Sequence, residues 1–193
     1  MKCGESHYRA VVIGASAGGL AAFETVLRSL KPSFCIPVLL VQHISPNSES
    51  YLPMHFQDRS ALDVKEAEDK EPIRRGNLYI APPNYHILVE HDGCIALSID
   101  PPVNYSRPSI DVLFESAAEY FQNELIGIVL TGANSDGAKG LKRIKNKGGL
   151  TVVQSIETAE AKAMPAAAIE AVDVDHILSL EGIGHLLSDV CEC

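Results

Sequence analysis

The sequence predicts an α/β fold, doubly wound about a mostly parallel sheet with helices on both faces and an antiparallel hairpin insertion. Three observations predict it. Runs such as Val11-Val12-Ile13 and Val38-Leu39-Leu40-Val41 are apolar throughout, without the alternation of a half-solvated strand, and read as parallel strands covered on both sides. Stripes of apolar residues at helical spacing alternate with these runs along most of the chain. Glycines and other small residues stand where a run turns into a stripe.

The first run ends in Gly14-Ala15-Ser16-Ala17-Gly18-Gly19, a sharp turn into a helix whose stripe is Leu20, Phe23, Leu27 and Leu30 and which Pro32 stops. A strand over residues 37–42 is followed directly by His43. Residues 46–60 read as a helix or broken helix, with Ser48 a candidate cap and Pro53 near the first turn. Residues 63–83 hold short alternating stretches, and residues 86–98 read as a hairpin turning at Asp92-Gly93. This middle region is expected to form an antiparallel insertion beside the main sheet. The prolines of Pro101-Pro102-Val103-Asn104-Tyr105-Ser106-Arg107-Pro108 exclude regular structure there, and a loop this long in a compact domain is often functional. Ser109 is expected to cap a helix that buries Val112, Leu113, Ala117 and Tyr120 or Phe121. A strand over 125–131 leads through Gly132-Ala133-Asn134-Ser135-Asp136-Gly137 into a helix that ends near Lys147, at Gly148-Gly149. A strand over 150–154, a short helix from Met164, a strand over 177–180 and a helix over 183–190 complete the chain.

A chain of 193 residues buries a substantial core as one domain, and residues 1–193 are read as a single unit. The formal charge of −9 argues against a nucleic-acid surface and is compatible with a protein or small-molecule partner. No apolar run reaches membrane-spanning length, and the polar start lacks a signal-peptide core, so the expected location is cytoplasmic with no membrane insertion. The five cysteines show no metal-like grouping and are read as reduced thiols; no metal site is expected.

Gly14-x-Ser16-x-Gly18 has the spacing of a nucleophile elbow, in which small neighbours let the backbone turn tightly and push a serine above the sheet edge. A dinucleotide-binding turn would need glycine where Ser16 stands and an acidic end to the second strand, where Gln42-His43 stands instead. A plain strand-to-helix turn, with Ser16 as a cap, remains open. Ser16, His43 and Asp136 each lie just past the end of an expected parallel strand, which places hydroxyl, imidazole and carboxylate on the sheet edge where ligands bind such folds. These are the parts of a hydrolytic triad: a serine needs a base to take its proton, and a carboxylate fixes the tautomer of that base. The bland alternatives are a solvated His43 and an Asp136 that only caps a helix. His7, His55, His86, His91, His176 and His185 are weaker rivals for the base, because none directly follows a long apolar strand at this edge.

Gly14-Ala15-Ser16-Ala17-Gly18-Gly19, Val41-Gln42-His43, Tyr79-Ile80-Ala81-Pro82, Pro102-Val103-Asn104, Arg107-Pro108-Ser109-Ile110-Asp111-Val112-Leu113-Phe114, Thr131-Gly132 with Asp136-Gly137, and Met164-Pro165 stand in one order along the chain. Together they resemble the catalytic domain of the chemotaxis protein-glutamate methylesterase family, CheB. The resemblance implies hydrolysis of glutamate methyl esters on methyl-accepting chemoreceptors, with release of methanol, and deamidation of certain receptor glutamines. It implies a triad at Ser16, His43 and Asp136, oxyanion donors at the backbone amides of Ala17 and Ala133, and no metal or organic cofactor. The family commonly has threonine where Ala17 stands and methionine-glycine where Ala133-Asn134 stands. Arg107 reads either as a substrate-facing cation or as part of a surface salt bridge. Family members usually carry an amino-terminal receiver domain, and the polar start at Met1 favours a free-standing esterase without one. The oligomeric state is not legible. Two other readings are carried: a small-molecule esterase or amidase on the same triad, and a non-catalytic module that binds a signalling protein.

Overall fold

The computed structural model describes residues 6–44 and 51–190. Among these, seven strands form one parallel sheet: β1 (Ala10–Ala15), β2 (Val38–Gln42), β3 (Asp63–Glu66), β4 (Asn77–Ile80), β7 (Leu125–Val129), β8 (Leu150–Gln154) and β9 (His176–Leu178), in the spatial order β3-β4-β2-β1-β7-β8-β9. Strands β5 (His86–Val89) and β6 (Ile95–Ser98) pair antiparallel in a separate two-stranded sheet. The insertion is therefore smaller than expected. β3 and β4 belong to the parallel sheet, because Leu78, Tyr79 and Ile80 are buried on both faces and pair with Val38, Leu39 and Leu40 of β2.

Among the described residues six α-helices cover the sheet: α1 (Gly19–Arg28), α2 (Leu52–Gln57), α3 (Ile110–Phe121), α4 (Ala138–Asn146), α5 (Ala163–Ala171) and α6 (Leu180–Val190). The expected cap Ser48 lies outside the described residues, whereas Pro53 sits in the first turn of α2, where a missing N–H costs nothing. Alternate residues of each central strand serve opposite faces, as the period of two requires. Val11, Ile13, Val38, Leu40, Ile126 and Ile128 pack with Phe23, Val26, Phe56, Ile183 and Leu187 of α1, α2 and α6. Val12, Leu39, Val41 and Val129 pack with Leu113, Phe114, Leu141, Ile144 and Met164 of α3, α4 and α5, and with the hairpin through Ile87 and Ile95. The unbroken apolar runs read from the sequence are strands facing two cores.

Two glycines permit close approaches that matter to the site. A Cβ on Gly140 would overlap Phe114, so α3 and α4 meet almost backbone to backbone. A Cβ on Gly14 would overlap Ile110, which seats the start of α3 against the end of β1. Cys35 is disulfide-bonded, which corrects the reading of every cysteine as a reduced thiol; Cys94 is a free thiol. Among the described residues no helix is long and apolar enough to cross a membrane.

Candidate active site

β1 and β2 are adjacent and parallel, with Ala15 opposite Gln42, so Ser16 and His43 leave neighbouring strands at the same carboxyl edge. The ladder continues one step past each strand: Ser16 N–H donates to Thr131 O at 3.0 Å and His43 N–H to Ala15 O at 2.9 Å. Asp136 reaches this edge from the loop between β7 and α4, and its Oδ2 lies 2.9 Å from His43 Nε2. The His43 side chain is 11% exposed and that of Asp136 is fully buried. An ionised carboxylate only accepts, so Nε2 carries the proton and Nδ1 is the ring nitrogen left free to act as base. The protease template uses the opposite nitrogens. Ser16 is half-buried, and no hydrogen bond joins its hydroxyl to His43; catalytic hydrogen bonds are often long or poorly aligned until the transition-state complex forms.

The carboxylate of Asp136 sits at the amino terminus of α3. Its Oδ1 accepts from Ser109 Oγ (2.9 Å), Asn104 Nδ2 (3.0 Å) and Asp111 N–H (3.1 Å), while Oδ2 also accepts from Ile110 N–H at 2.7 Å. Ser109 holds the cap position but makes no cap bond; Asp136 caps α3 from outside the helix instead. Burial pushes the Asp136 carboxyl upward, but the bonds from His43, Ile110, Asn104 and Asp111 outweigh it and hold the group below its ordinary value. The positive end of α3 favours the same charged form. The exchange is reciprocal, because Asp111 of α3 accepts from Gly140 N–H in the first turn of α4 at 2.8 Å. Burial drives the Asp111 carboxyl above its ordinary value, and the nearby Asp136 charge adds to the rise. His86 is buried behind this cluster. Its Nδ1 accepts from Ser109 N–H and its Nε2 donates to Pro101 O, which joins the hairpin to the proline-rich loop.

The N–H groups of Ala17 and Ala133 have no acceptor among the described residues. The direction of each is set by the carbonyl of its own peptide unit, since N–H and C=O point oppositely across a trans peptide. The Ser16 carbonyl accepts from Gln42 Nε2 at 2.8 Å and Gly19 N–H at 2.9 Å, which aims Ala17 N–H the other way. The Gly132 carbonyl accepts from Met164 N–H at 2.9 Å, which does the same for Ala133. Thr131 Oγ1 donates to Ala17 O at 2.9 Å and ties the two turns together. Gln42 Nε2 also donates to His43 O at 2.9 Å, so one buried amide holds the main chains of Ser16 and His43. Gln42→Met keeps the length of the side chain and removes both bonds. It is expected to lower kcat about fivefold or more with little change in KM; steady-state kinetics check this, and a parent-like kcat would mean that the turn is held without Gln42.

Arg107 donates from Nη1 to the carbonyls of Ile99 and Asp100, at 2.7 and 3.1 Å, and braces its own loop. In the basic run on and beside α4, Arg143 and Lys147 pair with Glu119 and Lys145 pairs with Asp175, leaving Lys139 and Lys142 as its less committed charges. Among the rival histidines, His55 faces Glu24 at 3.4 Å on the α1–α2 side and His7 bonds Asn123 O. A cavity of about 220 Å³ lined by Tyr8, Arg9, Pro37 and Tyr120 lies at the amino ends of the strands, on the opposite edge from Ser16. Among the described residues no cluster of His, Cys, Asp or Glu is arranged to hold a metal ion.

Sequence reasoning missed Gln42 and Asn104 as site residues; it placed Ser109 at the cap position of α3, where the structure has it, but not the bond from its hydroxyl to Asp136. Gln42 had a local signal: a polar residue ending a strand buried on both faces must find partners. Asn104 and Ser109 had none, because their acceptor lies 32 and 27 residues further along the chain.

A family model described as CheB methylesterase matches residues 11–187. A putative protein-glutamate methylesterase/protein-glutamine glutaminase of Leptospira interrogans is 53% identical over 180 residues, which cover 93% of each chain. Protein-glutamate methylesterase/protein-glutamine glutaminase 2 of Anaeromyxobacter dehalogenans is 42% identical over 93% of this chain but 52% of its own length, so the chain spans about half of that relative. The crystal structure of the Thermotoga maritima CheB methylesterase catalytic domain superposes with a TM-score of 0.90 at 33% identity, covering 95% of this chain and 98% of that one. Fold, motif order and sequence identity agree: the chain belongs to the CheB methylesterase family.

Proposed function

We propose that the chain is a serine hydrolase that removes methyl esters from glutamyl side chains of chemoreceptors, and deamidates glutaminyl ones, through Ser16, His43 and Asp136. The observation that carries the proposal is the 2.9 Å bond between His43 and a fully buried Asp136, at the strand edge that also bears Ser16. His43 Nδ1 takes the hydroxyl proton as Ser16 Oγ attacks the ester carbonyl, and the N–H groups of Ala17 and Ala133 receive the oxyanion. The imidazolium returns the proton to the departing methoxide, so methanol leaves and a glutamyl ester remains on Ser16. Water, deprotonated by His43, then releases the glutamate. With glutamine the leaving group is ammonia. Residues 1–193 act in this reading as one catalytic unit at the cytoplasmic side of a receptor.

Ala17 and Ala133 carry smaller side chains than the family commonly has there and Asn134 a larger one, and the backbone donors survive those changes. If the cleft is built for an ester presented on a receptor helix, contacts beyond the ester position it, and a bare small ester reacts poorly. Offering a methylated receptor fragment and a small acetate ester separately tests this. The expected result is methanol release with a kcat/KM far above that for the small ester. Efficient small-ester turnover without methanol release would instead assign a small-molecule esterase.

A further inference from the structure

Asn104 lies in a two-residue turn. Val103 and Ser106 exchange both backbone hydrogen bonds, at 3.1 and 2.9 Å, and the residues between them are left-handed, Asn104 at φ 51° and Tyr105 at φ 63°. This is the geometry of a type I′ turn, which asparagine and glycine tolerate and an aromatic residue does not favour. Tyr105 is fully exposed at the tip, so its packing does not offset that strain. Inward, Asn104 uses both amide hydrogens. One goes to Asp136 Oδ1 at 3.0 Å, the other to Asp111 Oδ2 at 2.9 Å. Two buried carboxylates that would repel each other thus share one neutral donor, and the turn is pinned by the carboxylate that faces His43.

We propose that Asn104 is a positioning residue of the catalytic machinery: by donating to Asp136 Oδ1 while Oδ2 holds His43, it fixes the rotation of the carboxylate and hence the orientation of the imidazole. This rests on the reading of Ser16, His43 and Asp136 as the triad. Ser109 Oγ and the N–H of Asp111 reach the same oxygen from the α3 side. Asn104 approaches from the proline-rich loop, whereas the N–H of Gly137, the residue after Asp136, reaches Oδ1 at 3.2 Å, so the loss of Asn104 removes the contact from the loop side.

The backbone conformation supplies an unusually clean test. Asn104→Gly removes the amide in a residue that suits a positive φ, so a purely conformational role predicts a parent-like or better enzyme. The positioning role predicts that kcat for methanol release falls on the order of ten- to a hundredfold, the range set by hydrogen bonds to charged groups, with KM little changed. The rate of Ser16 labelling by a fluorophosphonate should fall in the same proportion, because labelling needs the same base and no receptor. Asn104→Asp keeps the size and tolerance of the turn but turns an acceptor toward two carboxylates, and should be slower than Asn104→Gly. It also supplies the answer if the glycine variant folds poorly. Parent-like kcat and labelling in either variant would overturn the proposal. Ser16→Ala, assayed alongside, separates the two failures: activity retained there refutes the triad, whereas activity lost there but kept in Asn104→Gly refutes the role of Asn104 alone.

Discussion

Ser16→Ala is expected to abolish ester hydrolysis and to leave the fold as stable as the parent within about 0.5 kcal/mol. The hydroxyl projects from the end of β1 and makes no bond to His43, whereas the backbone of the turn is held by Thr131, Gly19 and Gln42. Removing the oxygen therefore removes the proposed nucleophile and no support. Oxyanion donors and base stay in place, so any residual rate is that of water attacking without a covalent intermediate. Methanol release and thermal melts on the same sample read both halves, and parent-like turnover would refute the assignment of Ser16.

Asp136→Asn is expected to lower kcat by about 10⁴, as in the protease precedent. An amide cannot accept at both oxygen positions. Oδ1 of the variant can still take Ser109, Asn104 and Asp111 N–H, which leaves its NH2 facing Ile110 N–H and His43 Nε2. His43 can then bond only by presenting a bare Nε2, which moves its proton to Nδ1 and removes the base from the nitrogen that needs it. This substitution also costs stability, about 1–3 kcal/mol, because Ile110 N–H loses its acceptor at the buried start of α3. The pH dependence has a definite sign. The folded carboxyl of Asp136 is held below its ordinary value, so its contribution is present in full above the unfolded carboxylate range, about pH 4, and is lost as pH falls through the lowered folded value. The difference in Tm between parent and Asp136→Asn should thus be widest near neutrality and close in acid. A gap that is constant with pH would mean that Asp136 is not ionised in the fold.

The elements that sequence identified correctly are those with a local physical signature. β1, β2 and β7 announce themselves because burial on both faces demands near-continuous apolar runs, and their carboxyl ends locate Ser16, His43 and Asp136 before any coordinates. β3 was harder: a short edge strand with one exposed and three half-buried residues alternates like part of a hairpin, and its parallel pairing to β4 is fixed by tertiary contact. The role of Asp136 at α3 was invisible for a related reason. Sequence proximity suggests a cap for α4, which follows it, whereas close packing of α3 on α4 through Gly140 lets each helix start be served by the other's carboxylate. Asn104 and Gln42 act through side-chain amides on groups that meet only when the sheet edge is assembled.

If the His43–Asp136 pair activates Ser16 as a nucleophile, treating the folded protein with a fluorophosphonate, digesting it and locating the modified residue by mass spectrometry, in the parent and in Asp136→Asn, will reveal it. Stoichiometric modification is expected at Ser16 in the parent, with labelling slowed by orders of magnitude in the variant, at a pH where both are folded. Modification at another serine, or equal labelling rates in the two proteins, would rule out activation of Ser16 by this pair.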